Sequence, residues 1–429
     1  MPAPAAPGGL RIALLCYRGN PHCGGQGVYT AHLASELVKL GHSVEVFAGQ
    51  PWPILEDAVG FTPVPSLDLY RSPDPFRIVH LKELVDKESV IEFLTMLSGG
   101  FAEPRVFARR VRRILATRRG EFDIVHDNQC LGRAIVALSK DGWPLLTTLH
   151  HPITVDRRLA LDHAKGLIQK LSTWRWFGFV RMQMRVARRL PAIVTVSHSS
   201  LRDIAQQMGV DPSRMRVVPV GVDHDIFRLH PEVQEIPGRL MVTTSSDVPL
   251  KGLVPLLEAV ARLRNHREIS LLVVGKPSPN GRVEKAIERL DLSSVVTFVH
   301  GISDEELARH YAEAQIAVVP SLYEGFSLPA IEAMASGRPL IATTGGALPE
   351  VVGSDGETAL LVPPDDAGAL ADAIDKLLDD PARRLALGEA GRNRVLKRFT
   401  WEVMAKETAQ LYETVLDRTT NRVNHYVDR

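Results

Sequence analysis

Two glutamates eight residues apart, Glu324 and Glu332, are the strongest chemical signal in this chain. They lie in Ser321-Leu322-Tyr323-Glu324-Gly325-Phe326-Ser327-Leu328-Pro329-Ala330-Ile331-Glu332. The apolar run that ends at Val318-Val319-Pro320-Ser321 reads as a buried strand, and Gly325 breaks it. Pro329 suits the first turn of a helix, where its missing N–H costs nothing. Glu324 is therefore expected at the C-terminal mouth of a strand, and Glu332 about one turn into the following helix. The amides that open such a helix are unpaired, and its dipole favours an anion. Carboxylates that accept hydroxyl hydrogen bonds beside an anion pocket suit a sugar attached to a diphosphate.

The elements that must position these groups follow from hydrophobic pattern. Short apolar runs alternate with amphipathic helical patterns. Residues 11–16 read as a strand, followed by a Gly-rich loop at Gly24-Gly25-Gln26-Gly27 and a helix through Leu33, Leu37 and Leu40. Further strands are expected at 44–47, 124–126, 145–149 and 193–196. This alternation is that of parallel βαβ units. It closes near 218–223, passes a stretch with Pro231 and Pro237, and restarts with strands at 240–243, 271–274, 296–298, 316–319 and 339–342. The expected architecture is α/β, with two Rossmann-like lobes facing one another across a cleft. Residues 1–225 form the acceptor-side lobe, 226–238 a linker, 239–398 the donor-nucleotide lobe, and 399–429 a final helix packing back on the first lobe. In open parallel sheets, ligands sit outside the carboxyl ends of the strands. The glycine loop and both glutamates fall at such ends.

A chain of 429 residues accommodates two domains, and 45% apolar with 24% charged residues is the balance of a soluble globular protein. A net charge of +1 does not favour bulk nucleic-acid binding, although the charge is unevenly placed. Residues 1–225 carry 28 Lys and Arg against 21 Asp and Glu, whereas 226–429 carry 23 against 29. Cys16, Cys23 and Cys130 form no paired framework, which points to a reducing compartment and a cytoplasmic protein. No apolar run approaches the ~18 residues that span a bilayer. The Pro/Ala/Gly-rich start reads as a loose tail rather than a secretory signal.

Residues 311–352, with Glu324, Glu332 and Thr344-Gly345-Gly346-Ala347-Leu348-Pro349-Glu350, resemble the signature of the retaining family-four glycosyltransferases of the GT-B fold. The glycine loop, Gly41-His42-Ser43-Val44-Glu45-Val46 and Phe399-Thr400-Trp401 extend the resemblance over nearly the whole chain. It implies transfer of a hexosyl unit from a nucleoside diphosphate sugar to an acceptor hydroxyl, such as that of a lipid or glycan precursor. By the same resemblance Glu324 holds donor-sugar hydroxyls and Glu332 the nucleotide ribose. The amides of Gly325, Phe326, Ser327 and Leu328 cradle the sugar and diphosphate. Lys251 corresponds to a phosphate-binding lysine, whose charge neutralises that growing on the leaving diphosphate. Gly24, Gly25 and Gly27 let backbone approach the diphosphate from the first lobe. A dehydrogenase fingerprint does not fit that loop, because its third glycine would fall at Thr30.

His150 matches a histidine that the family places near the reacting centre and acceptor, where it orients the donor sugar or assists the acceptor hydroxyl, and its residue type suits proton transfer. The adjacent His151 is the other candidate for that place. His126, Asp127 and Asn128 end a neighbouring strand and are expected on the acceptor side. Two departures stand out. The family's Gly-Arg before the lysine is replaced by Thr243-Thr244-Ser245-Ser246-Asp247, where Ser245 offers a hydroxyl without charge. Val220 replaces an asparagine. They lend weight to a second class, a degenerate sugar-nucleotide-binding protein. A sugar synthase or phosphorylase on the same fold is a third, and no lysine motif for pyridoxal phosphate is found.

Asp223-His224-Asp225 imitates a metal motif of the other large glycosyltransferase fold, but it falls at the interlobe junction, so no metal or other cofactor is expected. Residues 101–190 hold 18 Lys and Arg against 7 Asp and Glu. Arg181, Arg185, Arg188 and Arg189 share one helical face after Trp174, Trp176, Phe177 and Phe179. That pattern suits peripheral contact of 165–189 with anionic lipid headgroups. A packed helix with a solvated arginine face is the plainer reading, and Gly178 interrupts the helix.

Overall fold

Parallel strands require a crossover of a dozen or more residues between neighbours, and this chain supplies one after nearly every strand. The computed structural model describes residues 2–20, 25–71, 77–164, 166–244 and 247–427, with side chains for all of these except 159, 162, 163 and 420–427. The first seven strands are β1 (Arg11–Cys16), β2 (Ser43–Ala48), β3 (Gly60–Pro63), β4 (Ile124–Asn128), β5 (Leu145–Thr148), β6 (Ile193–Thr195) and β7 (Met215–Val217). They form one parallel sheet in the order β3-β2-β1-β4-β5-β6-β7. The remaining six are β8 (Arg239–Thr243), β9 (Ser270–Val274), β10 (Val296–Val299), β11 (Ile316–Val319), β12 (Leu340–Thr343) and β13 (Leu360–Val362). They form a second parallel sheet, ordered β10-β9-β8-β11-β12-β13. Strand order therefore reverses once in each sheet, between β1 and β4 and between β8 and β11. Crevices at such reversals are where α/β sheets bind ligands.

Burial explains why the central strands were readable. β4 and β11 are covered along their whole length, and β1 and β2 at every residue but the first. A strand covered on both faces reads as a largely apolar run, although β2 buries Glu45 and β4 buries His126, Asp127 and Asn128 at its end. In the second sheet, Leu240, Val242, Val318 and Ile341 enter one core, while Met241, Ala317, Val319 and Ala342 enter the other, as the alternation of a pleated strand requires. β3, β7 and β13 were not expected. All three lie at sheet edges, are three or four residues long and are only partly covered. Half-solvated edge strands carry no such run.

The chain divides into two compact units: residues 1–196, 200–218 and 404–429, and residues 197–199 and 219–403. The first unit gives way to the second at 218, ahead of the expected boundary at 225, and residues 226–238 lie inside the second unit. The final helix, Trp401–Val427, belongs to the first unit from Met404 onward. Tyr412 on it is fully buried, with its hydroxyl 2.7 Å from His126 Nδ1. No helix is long and apolar enough to cross a membrane among the described residues.

Candidate functional site

In the second unit, the chemistry collects at the β8/β11 reversal. After β8 the chain makes a short turn, Pro249–Lys251, that ends on Gly252 at φ 66. A side chain at Gly252 would collide with the carbonyl of Pro320, so glycine is what permits the approach. Leu322 N then donates to Leu250 O at 2.7 Å, which fastens the two loops together. Lys251 Nζ donates to Glu324 Oε1 at 2.8 Å, and Ser321 Oγ donates to the same oxygen at 2.7 Å. The Glu324 backbone is held from the β12 side, where Ala347 N donates to Glu324 O at 2.8 Å. Gly346, at φ 63, packs against that backbone so closely that a Cβ would strike it. Glu324 Oε2 has no hydrogen-bond partner among the described residues.

The helix Leu328–Ala335 begins on Ser327, whose Oγ accepts from Ala330 N at 3.4 Å, and has Pro329 in its first turn. Glu332 lies one turn along it. Its Oε2 is 3.2 Å from Tyr311 OH, which is also 3.3 Å from Pro329 O and 3.2 Å from Thr243 Oγ1. A phenol has one proton, so it can serve only one acceptor at a time. Burial pushes the Glu332 carboxyl up to about 7, against the Tyr311 hydrogen bond that pulls it down. Near neutral pH, Glu332 is therefore divided between its two protonation states.

In the first unit, His150 stands just past β5. Its Nε2 is 2.8 Å from Asn128 Oδ1, and its backbone N donates to Gln129 Oε1 at 2.6 Å. Asn128 Nδ2 donates to Gln26 O at 3.1 Å and to Thr30 Oγ1 at 2.8 Å. Asn128 must therefore present its oxygen to His150, so Nε2 carries the proton and Nδ1 is a bare acceptor. Tyr29 meets the imidazole edge-on at 4.7 Å. Burial, aided by His151, lowers His150 to about 3. This imidazole is a weak base, suited to accepting a hydrogen bond.

Two acceptor-side expectations are corrected. His126 and Asp127 are fully buried. Both His126 nitrogens are taken, by Tyr412 OH and by Thr148 Oγ1, each at 2.7 Å, and burial lowers the group to about 3. Asp127 Oδ2 accepts from Leu131 N at 3.3 Å, while burial pushes the carboxyl up to about 7. Neither faces an open wall. Asn128, also buried, reaches His150 with its side-chain oxygen. His151 turns to the surface, 3.0 Å from Asp156 Oδ2. Gly25 opens the helix Gln26–Lys39 at φ 70. Gly27 is needed within its own loop, because a Cβ there would strike the carbonyls of Gly19 and Asn20. Gly24 and Ser245 lie outside the described residues, as does Cys23, whereas Cys16 and Cys130 are free and buried.

Asp223 Oδ1 accepts from Asp225 N at 3.0 Å and from Ile226 N at 3.1 Å, which makes Asp223-His224-Asp225 a turn. No cluster of three or more metal-ligating side chains occurs among the described residues. Sequence reading missed Tyr311, Ser321 and Gly346. Ser321, three residues before Glu324, was within view. Tyr311 lies on the helix before β11, with spacing no different from that of a core residue.

Residues 231–394 match the family described as glycosyl transferases group 1, and residues 23–226 match glycosyltransferase family 4. The chain is 50% identical over 410 residues to the MMP α-(1→4)-mannosyltransferase of Mycolicibacterium hassiacum, covering 95% of this chain and 99% of that one. It is 29% identical over 456 residues to the D-inositol 3-phosphate glycosyltransferase of Kineococcus radiotolerans, covering 96% and 97%. Sucrose-phosphate synthase from Thermosynechococcus elongatus has a similar structure, with a TM-score of 0.71 and 26% identity over 95% of this chain and 100% of that one. The glycosyltransferase WaaG shares the fold, with a TM-score of 0.64 and 19% identity over 94% of this chain and 99% of that one.

Proposed function

This chain belongs to the family-four glycosyltransferases of the GT-B fold, and on that footing we propose that it moves a mannosyl unit from a nucleoside diphosphate sugar to an acceptor hydroxyl, with retention of configuration. The observation that carries the reading is the Lys251–Glu324 pair at the β8/β11 reversal. The choice of mannose rests on the 50% identical relative, whose name also suggests an α-(1→4) bond to a sugar acceptor.

In this reading the arriving diphosphate draws Lys251 away from Glu324. The ammonium then stabilises the negative charge that grows as the diphosphate leaves. The amides of Gly325, Phe326, Ser327 and Leu328, at the mouth of a helix, favour the same anion. Glu324 Oε2 accepts donor-sugar hydroxyls, and Glu332 accepts ribose hydroxyls. The acceptor oxygen bonds to the anomeric carbon on the face from which the diphosphate departs. The C–O bond to phosphate breaks, and the acceptor proton passes to the departing phosphate oxygen. His150 Nδ1 receives a sugar hydroxyl and orients it. The positive charge comes from the protein, so no metal ion is required. Residues 165–189 extend the proposal to peripheral contact with anionic lipid, on the support of exposed Leu167, Ile168, Leu171 and Trp174 beside Arg181.

The test is thermal stabilisation by GDP-, UDP- and ADP-sugars, each with and without EDTA, followed by product analysis with a mannoside acceptor. Stabilisation by one nucleotide sugar in EDTA, with a retained anomer in the product, is the expected outcome. Loss of the shift in EDTA overturns metal independence. No shift and no transfer from any donor favours the binding-protein reading.

A further inference from the structure

The first unit holds a second cluster that the reading above does not use. Tyr17 and Arg18 follow β1 directly, at the β1/β4 reversal, and Phe101 and Glu103 stand at the start of the helix Glu103–Ala116. Four aromatic rings meet there. Tyr17 and Phe101 are 6.5 Å apart, Tyr70 and Phe101 5.2 Å, Tyr70 and Trp176 5.3 Å, and Phe101 and Trp176 5.4 Å. None of the four residues is fully covered.

Among these rings lies a carboxyl with an unmet need. The Glu103 side chain is 5% exposed, and its Oε2 has no hydrogen-bond partner among the described residues. The Arg18 Nε stands 3.6 Å away, beyond hydrogen-bond range, while another Arg18 nitrogen donates to Tyr70 O at 3.2 Å. Burial pushes Glu103 up to about 8, against the pull of Arg18, and its charge reaches the phenols of both Tyr17 and Tyr70. A buried polar oxygen without a partner costs free energy, and packing alone gives no reason to keep it. A ligand hydroxyl would satisfy it.

We propose that Tyr17, Arg18, Tyr70, Phe101, Glu103 and Trp176 form a saccharide subsite that holds the acceptor sugar. A pyranose presents C–H groups on one face and hydroxyls at its rim. The rings cover the apolar face, and Glu103 and Arg18 take rim hydroxyls, the division of labour of a pocket with few polar anchors. Below its pKa, Glu103 is a neutral acid that can both donate and accept. A phosphate would gain nothing from that carboxyl, so the fit is to an uncharged sugar. The word "acceptor" rests on the proposed transferase activity, whereas the saccharide site rests on the cluster alone.

Calorimetric titration of the full chain with methyl α-D-mannopyranoside and α-(1→4)-mannobiose, with and without GDP or UDP, tests the subsite. Binding by the unaltered chain is expected, weakened about tenfold or more by Glu103→Leu and by Trp176→Ala. Glu103→Leu removes an oxygen without a hydrogen bond together with its ion pair to the part-exposed Arg18, so its thermal midpoint is expected to change little. Should it fall, Glu103→Gln keeps the side-chain shape and is expected to weaken binding by a smaller factor. In turnover, the acceptor KM rises in the variants while the donor KM does not. No saccharide binding by the unaltered chain, or equal binding by the variants, overturns the subsite. Transfer with an unchanged acceptor KM in both variants sinks the subsite and leaves the proposed function standing. Saccharide binding without any transfer does the reverse.

Discussion

Glu324 is gripped through one carboxylate oxygen and through its own carbonyl, so its second oxygen is aimed by the protein. The grip comes from three loops, and none of them depends on the free oxygen. Glu324→Ala keeps the Ala347 bond to the carbonyl but loses the Lys251 and Ser321 bonds at Oε1, so it is expected to stay folded with a modestly lower thermal midpoint while lowering turnover about a hundredfold or more. Near-parental turnover would remove Glu324 from the chemistry. Glu332 offers a pH signature. Its pKa near 7 lies above the usual carboxylate value because burial favours the neutral acid. Its contribution to stability is thus present at low pH and is lost as pH rises through about 7. Ribose hydroxyls donate to the anion, so nucleotide affinity should strengthen between about pH 6 and 8. Tyr311→Phe removes the bond that pulls Glu332 down, and should move that rise to higher pH. A flat affinity profile would detach Glu332 from the nucleotide. The two glutamates were legible because a strand end, a glycine and a proline surround them. Tyr311 was not, because a phenol at helical spacing announces only a buried face.

The final helix is the element whose anchoring is most specific. Tyr412 on it and Thr148 on β5 hold the imidazole of His126 between them. His126 and His150 are both kept neutral by burial, with values near 3. Their folded values lie below the unfolded one, so the stability they contribute is present above about pH 6.5 and is lost as pH falls toward 3. Tyr412→Phe leaves one imidazole nitrogen unpaired and should cost about 1–3 kcal/mol in urea denaturation, without altering nucleotide binding. No loss would mean that the helix is held by apolar packing alone. The segment 165–189 divides into two kinds of helix. In Val180–Ala187, Met182, Gln183 and Val186 face inward, and Arg188 just beyond it donates to Met208 O at 2.6 Å. The helix Gly166–Trp176 instead exposes Leu167, Ile168 and Leu171. Lipid contact would therefore fall on this second helix more than on the arginine face read from the sequence. Co-sedimentation with phosphatidylserine vesicles should be lost in a Leu167→Asp, Leu171→Asp double variant. Failure of the parent chain to sediment would remove the lipid partner. Central strands were legible through their apolar runs, whereas β3, β7 and β13 were hidden by their half-solvated edges.

At the scale of the whole chain, two parallel sheets were legible because the strand–helix alternation stops and then starts again. The junction was misplaced for a physical reason. Val222 N donates to Phe399 O at 2.9 Å, and Val222 pairs with Thr400, which gathers the residues after Val218 into the second unit. Only a contact with a segment far along the chain reveals this. The same pairing has a consequence for how such a protein can be rebuilt. Apart from Ser197–Ser199, the second unit is one continuous stretch, 219–403, threaded into the first as an insertion. Its two ends are already side by side, so splicing it in or out closes little new loop. That is the connectivity of an exchangeable cassette. When 219–403 is swapped for the matching stretch of a relative, the sugar nucleotide consumed should change with the cassette, and the hydroxyl glycosylated should stay with the host.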